Sequence, residues 1–186
     1  VIVGFDQKLH CYEHTGALKY ISTALVGYGQ RFQFSIPNIA DFDNNGWAEV
    51  NIGNQVFNGQ TGALLASGSN FLSDGEHPAR VAKGYSFAST VPADVLPASA
   101  CIGCAGLEIV AGNQVLSVNL ISGLVLPVRF APAPFSDGFT SVADFDGDGD
   151  LDAIVQGQKA GENTVYVWDI QSNSIMREFK LLNNWS

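Results

Sequence analysis

The chain has 186 residues, of which 46% are hydrophobic and only 15% are charged, which is enough apolar side chain to bury a core. Its formal net charge of −9 has the wrong sign for a protein that follows nucleic-acid phosphates. No apolar stretch reaches the ~18 residues of a membrane-spanning helix, because Gly123 and Pro127 interrupt the most apolar tract. We therefore expect no nucleic-acid partner and no direct membrane insertion.

Short runs rich in valine and isoleucine, each bounded by Gly, Asn or Asp, predict β-strands along the whole chain. The clearest are Ala48 to Ile52, Gly106 to Val110, Asp152 to Val155 and Thr164 to Trp168. Twenty glycines and seven prolines are spread along the chain, and candidate helical patterns fail within two turns. These features together predict an all-β fold with frequent turns.

The chain contains an internal repeat. Its three similar segments are residues 48–56, 107–115 and 151–157, and the first two share the letters Gly-Asn-Gln-Val. An acidic residue recurs at Glu49, Glu108 and Asp152, so the spacing is 59 residues (108 − 49) and then 44 residues (152 − 108). A partial copy opens the chain at Val1 to Gly4, so we expect this chain to begin inside a repeat and to be a piece of a longer protein.

Each repeat reads as four short strands. In the second repeat they are Phe34 to Ala40, Ala48 to Ile52, Gln55 to Asn58 and Ala63 to Ser67, with Gly53-Asn54 as a tight hairpin turn. Four-stranded repeats of this length predict β-propeller blades, and three complete units with part of a fourth predict a fragment of a larger propeller. A β-sandwich with coincidental similarity is the alternative, which the two Gly-Asn-Gln-Val copies disfavour.

Two acidic loops precede the second strand of their repeats. Each has side-chain oxygens at its first, third, fifth and ninth positions and a glycine at its sixth. The candidate ligands are Asp41, Asp43, Asn45 and Glu49 in one loop and Asp144, Asp146, Asp148 and Asp152 in the other, with the backbone carbonyls of Trp47 and Asp150. Ca²⁺ takes six to eight such hard oxygen ligands, so the pattern predicts a calcium site in each loop. A solvated acidic turn is the alternative for a single loop, and recurrence at the same place in the repeat favours calcium.

The segment Ala-Asp-Phe-Asp-Gly-Asp-Gly-Asp-Leu-Asp at residues 143–152 resembles the FG-GAP (or VCBS) repeat of integrin-α-type β-propellers. The resemblance implies a propeller with Ca²⁺ in the loop that joins the first two strands of a blade. More narrowly, Gly-Asn-Gln-Val, Asp-Gly-Phe-Thr-Ser-Val-Ala-Asp and Val-Tyr-Val-Trp-Asp are similar to FG-GAP regions of large secreted surface proteins with a gliding-motility-associated C-terminal domain. Such proteins are typically exported by the type IX secretion system.

The middle repeat departs from this pattern. Its loop runs 14 residues from Asp94 to Glu108, against 8 from Asp41 to Glu49, and lacks the third and fifth ligands. It carries Cys101-Ile-Gly-Cys104, which could be a redox motif, half a zinc site, a local disulfide or two inert thiols. A redox motif needs the start of a helix to stabilise the thiolate, and a zinc site needs a second pair of ligands. The sequence offers neither, so we predict a disulfide. Cys11 is expected to be a buried free thiol.

These features divide the chain into a partial blade (1–31), a blade with a calcium loop (32–83), a blade with the Cys-x-x-Cys loop (84–131) and a second blade with a calcium loop (132–186). Phe42 and Phe145 recur at one repeat position and are expected in the core between blades. The stretches Ser69 to Gly84 and Gln158 to Asn163 are expected to be surface insertions.

No histidine, serine or carboxylate pair outside the acidic loops forms a catalytic pattern, so we expect a non-enzyme. The sequence favours a calcium-binding module of a secreted or cell-surface protein that serves adhesion, scaffolding or surface motility. Its partners would be other surface proteins or glycans, and the secretion machinery during export. The alternative is a propeller segment of a calcium-dependent polysaccharide-active enzyme such as a lyase, because fold alone does not decide function.

Overall fold

The computed structural model describes residues 1–3, 6, 8–24, 36–68, 89–136 and 138–181. Every regular element among these residues is a β-strand, which confirms the all-β prediction. Within the same ranges there is no helix long and apolar enough to span a membrane. The expected insertion at Ser69 to Gly84 lies outside the described residues.

The strands follow one another as short antiparallel meanders. The first contains β1 (Ile2–Val3), β2 (Leu9–Tyr12) and β3 (Leu18–Ile21). The second contains β4 (Asn38–Ala40), β5 (Glu49–Ile52), β6 (Gln55–Asn58) and β7 (Leu64–Ser67), and the third β8 (Thr90–Ala93), β9 (Glu108–Ala111), β10 (Gln114–Asn119) and β11 (Leu124–Phe130). The last contains β12 (Phe139–Ala143), β13 (Asp152–Lys159), β14 (Glu162–Asp169) and β15 (Ser174–Lys180).

The second and third meanders join into one eight-stranded sheet. Their last strands, β7 and β11, pair in parallel at Leu124 and Ser67. Their first strands, β4 and β8, lie side by side at the other end of the strand order, where Asn38 Nδ2 donates to Thr90 O at 2.6 Å. The eight-stranded sheet is therefore nearly closed, while the first and last meanders form separate sheets of three and four strands.

Threonines on β8 and β12 connect each meander to the one before it. Thr90 Oγ1 donates to the Asn51 side chain at 2.9 Å, and Thr140 Oγ1 accepts a hydrogen bond from Gly112 N at 2.7 Å. Thr90 and Thr140 hold the same place, three residues before the strand end at Ala93 and Ala143. Successive repeats are thus linked by polar contacts as well as by apolar packing.

The same turn precedes the last strand of all four meanders. Its final residue has positive φ, at Gly16 (84°), Gly62 (72°), Gly123 (72°) and Asn173 (57°). In three copies a side-chain oxygen at the start of the turn accepts backbone N–H groups: Asn58 from Gln60 and Thr61, Asn119 from Ile121 and Ser122, and Asp169 from Ser172. Such side chains mimic a backbone turn, which explains why Asn and Asp recur there.

The apolar core lies between neighbouring sheets and between the two halves of the large sheet. One cluster joins Val110 and Val115 to Tyr166 and Trp168 of β14. A second joins Val56 of β6 to Ile109 and Leu116 of the third meander. The inner strands of the second and third meanders are consequently buried on both faces, since all four residues of β5 and all four of β9 are buried.

The two equivalent phenylalanines differ in burial. Phe42 is 6% exposed and packs with Ile109 and Leu116 of the following meander, as expected. Phe145 is 48% exposed, so its placement in the core is wrong. The physical reason is that a following meander covers Phe42, whereas no described residue covers Phe145 in the same way.

The prediction of a surface insertion at Gln158 to Asn163 is also wrong. This stretch is the tip of a regular hairpin, in which β13 and β14 pair as far as Lys159 and Glu162. Ala160 and Gly161 make the turn with φ of 52° and 90°. Ion pairs from Lys159 to Glu178 and from Lys180 to Glu162 (2.7 Å) tie the tip to β15, and these cross-strand contacts were invisible in local sequence.

Candidate metal centres

The first acidic loop, residues 41–49, connects β4 to β5 and folds around its own carboxylates. Asp41 accepts hydrogen bonds from Asn45 N (3.1 Å) and Gly46 N (2.8 Å). Asp43 Oδ1 accepts from Asn45 N at 3.2 Å. The positive φ of Asn44 (55°) and Gly46 (88°) lets the chain turn back on itself. The loop is therefore wrapped so that its side-chain oxygens face inward.

The second acidic loop, residues 144–152, connects β12 to β13 and repeats this pattern. Asp144 accepts from Gly147 N (2.6 Å) and Gly149 N (3.1 Å), and Asp146 Oδ1 accepts from Asp148 N (3.2 Å). Gly147 and Gly149 have φ of 80° and 100°, at the places held by Asn44 and Gly46 in the first loop. Two loops 103 residues apart (144 − 41) thus share one backbone conformation.

The ninth residue of each loop closes it from the following strand. Glu49 Oε2 accepts from Phe42 N at 2.9 Å, and Asp152 Oδ2 accepts from Phe145 N at 2.9 Å. Both residues are buried, with 3% or less of their surface exposed. Each carboxyl group has a second oxygen that takes no part in this bond.

The structure brings three carboxylates together in each loop. Ligand oxygens of Asp41, Asp43 and Glu49 lie within 4.8 Å of one another, and so do those of Asp144, Asp146 and Asp152. Asp148 and Asp150 lie outside the second group. The side-chain oxygens of Asn45 and Asp148 accept from Trp47 N and Asp150 N, at 2.8 and 2.9 Å, which orients the seventh residue of each loop.

Burial raises the pKa of both closing carboxyl groups. For Glu49 the hydrogen bond from Phe42 N opposes this rise in pKa, and the carboxylates of Asp43 and Asp41 add to it to a lesser degree. For Asp152 the hydrogen bond from Phe145 N opposes the rise in the same way, and nearby carboxylates, with Asp146 first, add to it. A divalent cation between these groups would reverse the balance, because it favours the charged form.

The donor chemistry fits a hard cation. Carboxylate, amide and carbonyl oxygens are the ligands that Ca²⁺ and Mg²⁺ take, and thiol or imidazole ligands are absent from both groups. Each loop could therefore hold a metal ion.

The middle loop, between β8 and β9, is held by other means. Glu108 is fully buried, and its Oε2 accepts from Val95 N and Leu96 N, both at 3.0 Å. Val95 follows Asp94 as Phe42 follows Asp41, so the closing carboxylate is present without the ligands it would join. Burial raises the pKa of Glu108 to about 7, although the two N–H donors oppose the rise. Sequence reasoning noted the recurring acid but missed this role.

A disulfide joins Cys101 to Cys104 within the middle loop, and Cys11 is a buried free thiol. Cys104 is 1% exposed and packs in the cluster that contains Val95 and Leu96. The loop also rests on the first acidic loop, since a Cβ added at Gly106 would lie 2.8 Å from Phe42 O. A cleft of about 360 Å³ separates the two loops farther out, with Asp43, Gly103 and Ile121 among its lining residues.

No family model matches the sequence, and no curated protein matches it either. The fold matches the crystal structure of the V. cholerae biofilm matrix protein Bap1 with a TM-score of 0.59 and 19% sequence identity. The match covers 96% of this chain but 25% of that protein, so the chain spans about a quarter of its length. At this identity the likeness concerns the fold alone: the described residues adopt an all-β arrangement that also occurs in a biofilm matrix protein.

Proposed function

We propose that this chain is a calcium-binding propeller segment of FG-GAP type, and a non-enzymatic adhesion or scaffolding module of a secreted or cell-surface protein. The observation that carries the proposal is the pair of acidic loops, which share the same positive-φ positions and lie at the same place in the second and fourth repeats. Chance would not place three converging carboxylates twice in the same backbone setting. The ion would lock each loop and so stiffen the connection between the first two strands of its repeat.

The arrangement of the meanders supports the propeller part of the proposal. Each is an antiparallel sheet of sequential strands, and the first strands β4, β8 and β12 are linked through Asn38, Thr90, Ser89 and Thr140. In a propeller, first strands of neighbouring blades line a shared axis. A crystal structure in which strands from different repeats pair into two face-to-face sheets would contradict this reading.

Two features support the adhesive part. The fold matches that of a biofilm matrix protein. In addition, large apolar side chains are exposed on loops at the end of the sheets that carries the acidic loops: Trp47 at 63%, Ile102 at 89% and Ile121 at 101%. Exposed apolar groups that cluster at one end of a fold commonly mark contact surfaces. The partners we propose are other surface proteins or glycans, and the resemblance to gliding-motility proteins extends the proposal to type IX export.

Calcium titration tests the metal assignment directly. Trp47 is the seventh residue of the first loop, so its fluorescence should change as that loop fills, at ~10⁻⁴ to 10⁻³ M calcium as in extracellular modules. Calorimetric titration should count two sites. Asp43→Ala should remove the fluorescence change and one site, and Asp146→Ala should remove the other site alone.

Asp94→Ala is the matched control, because Asp94 opens the equivalent middle loop, is exposed and belongs to no group of three converging carboxylates among the described residues. It should leave both sites intact. Binding that survives both Asp43→Ala and Asp146→Ala would overturn the assignment. Incubation with acidic polysaccharides in calcium should yield none of the unsaturated sugar that a lyase releases, and its appearance would establish the enzymatic alternative.

A further inference from the structure

The repeated Gly-Asn-Gln-Val turns contain most of the unmatched polar atoms of the interior. Six buried side-chain atoms lack a hydrogen-bond partner in the part of the chain that the structure describes, and four belong to these turns. They are Asn54 Oδ1 in the first copy and Asn113 Oδ1, Gln114 Oε1 and Gln114 Nε2 in the second. The acidic loops do not explain these atoms, since the turns lie at the opposite ends of β5 and β9.

The two asparagines are held in one orientation. Asn54 Nδ2 donates to Gly68 O and Asn113 Nδ2 donates to Phe135 O, both at 3.1 Å. Rotating either amide would set its oxygen against a carbonyl oxygen, so the assignment of nitrogen and oxygen is fixed by these bonds. Each Oδ1 is therefore a true acceptor, buried to 1% exposure in Asn54 and 9% in Asn113.

Gln114 is fully buried, and neither the nitrogen nor the oxygen of its side-chain amide has a hydrogen-bond partner among the described residues. It pairs across the β9–β10 ladder with Ala111, whose side chain lies in the cluster of Val56 and Leu116. Because directly opposite residues share a face of the sheet, the Gln114 amide points into the space between the two halves of the large sheet. An amide left unpaired there bears its whole desolvation cost, and native proteins rarely tolerate one.

We propose that these turns are binding sites for buried water molecules. Asn113 Oδ1 can accept a hydrogen bond from one water, on the side of the turn where its amide bonds to Phe135 O. The Gln114 amide, on the side of the Val56 and Leu116 cluster, can accept a hydrogen bond from a second water and donate one to it. In the first copy a water donates to Asn54 Oδ1.

These waters would give the Gly-Asn-Gln-Val turn a second role, in addition to joining two strands. The asparagine amide holds the chain just after the last strand of its own repeat, at Gly68 or near Phe135, while its oxygen binds water. The sheets are then hydrated at one end and closed by acidic loops at the other. This inference is independent of the calcium proposal.

A crystal structure fine enough to show ordered solvent tests the inference on the wild-type protein. We expect one water within about 2.7 to 3.2 Å of Asn113 Oδ1, one at the same distance from a Gln114 amide atom, and one beside Asn54 Oδ1. The absence of solvent density beside these atoms, or hydrogen bonds from them to protein groups instead, would overturn the proposal.

Magnetic relaxation dispersion of the water signal is the second measurement, because it counts buried waters with long residence times. Gln114→Met, which keeps the side-chain volume but removes both polar atoms, should lower the count by one. Gln60→Met makes the same change at an exposed position and should leave the count unchanged. An unchanged count in Gln114→Met would refute the Gln114 site, and the wild-type crystal decides the matter should that variant fail to fold.

Discussion

The loop of residues 41–49 and the loop of residues 94–108 connect the first two strands of successive repeats, yet different chemistry holds them. Both are closed by a buried carboxylate that accepts the N–H of the loop's second residue, Glu49 from Phe42 and Glu108 from Val95. The shorter loop adds two converging aspartates, whereas the longer one adds a disulfide and a second N–H donor. The closing carboxylate is thus the shared structural element, and the metal ligands are an addition to it.

The largest effect we expect comes from calcium, which should stabilise the acidic loops and not the middle one. At 10 to 100 times the dissociation constant, each site contributes about 1.4 to 2.7 kcal/mol to the free energy of unfolding. Two sites then add about 3 to 5 kcal/mol between chelator and saturating calcium. Urea unfolding measures this difference. Asp43→Ala and Asp146→Ala should each remove about half of it and Asp94→Ala none, and equal midpoints in calcium and chelator would refute metal binding.

A second effect should be a pH dependence of stability that comes from Glu108, the closing carboxylate of the middle loop. The pKa of Glu108 is raised from 4.5 to about 7, so its stabilising contribution is complete below the unfolded pKa and is lost as pH rises through 7. The loss is about 3 kcal/mol at 1.36 kcal/mol per pKa unit. Glu108→Gln keeps an oxygen for the Val95 and Leu96 N–H groups but cannot ionise.

The free energy of unfolding of Glu108→Gln relative to wild type should therefore rise between pH 5 and 8. Glu178→Gln, at an exposed carboxyl on β15, is the control that should show no such rise. A constant difference between Glu108→Gln and wild type across this range would show that Glu108 is ionised throughout.

A third, smaller effect concerns the disulfide. Mass spectrometry of a non-reduced digest should find Cys101 linked to Cys104 and Cys11 alkylated only after unfolding, because Cys11 is buried. The bridge closes few residues, so its reduction should cost about 2 kcal/mol or less. Calcium binding should survive reduction. Two freely alkylated thiols at 101 and 104 in untreated protein would contradict the bond.

The smallest effect should show how the two kinds of loop touch. Gly106→Ala places a Cβ 2.8 Å from Phe42 O, a backbone atom between two proposed calcium ligands. We expect a loss of about 1 kcal/mol and weaker calcium binding at residues 41–49, reported by Trp47 fluorescence. The loop at 144–152 should be unaffected. Ala105→Ser, at the exposed neighbouring position, is the control, and equal calcium affinity in both variants would show that the loops act independently.

Local sequence was sufficient for the presence of the strands and for the acidic loops. Runs rich in valine and isoleucine, turn residues and the spacing of oxygen ligands act within a few residues of one another, so β6 was predicted at its observed bounds, Gln55–Asn58, although β13 extends beyond its predicted end at Val155. The convergence of Asp41, Asp43 and Glu49 followed from the same short range. The sequence also predicted that an acidic residue recurs at Glu108, but not that this carboxyl group is buried without neighbouring metal ligands.

Tertiary structure alone decided what depends on the neighbouring repeat. Phe42 and Phe145 both lie in the segment Ala-Asp-Phe-Asp, yet only Phe42 is buried, because a following meander covers it. The parallel joint between β7 and β11 and the approach of Gly106 to Phe42 bring together residues far apart in sequence. No local pattern encodes such contacts, since they arise when whole sheets pack and each surface meets a partner fixed elsewhere in the chain.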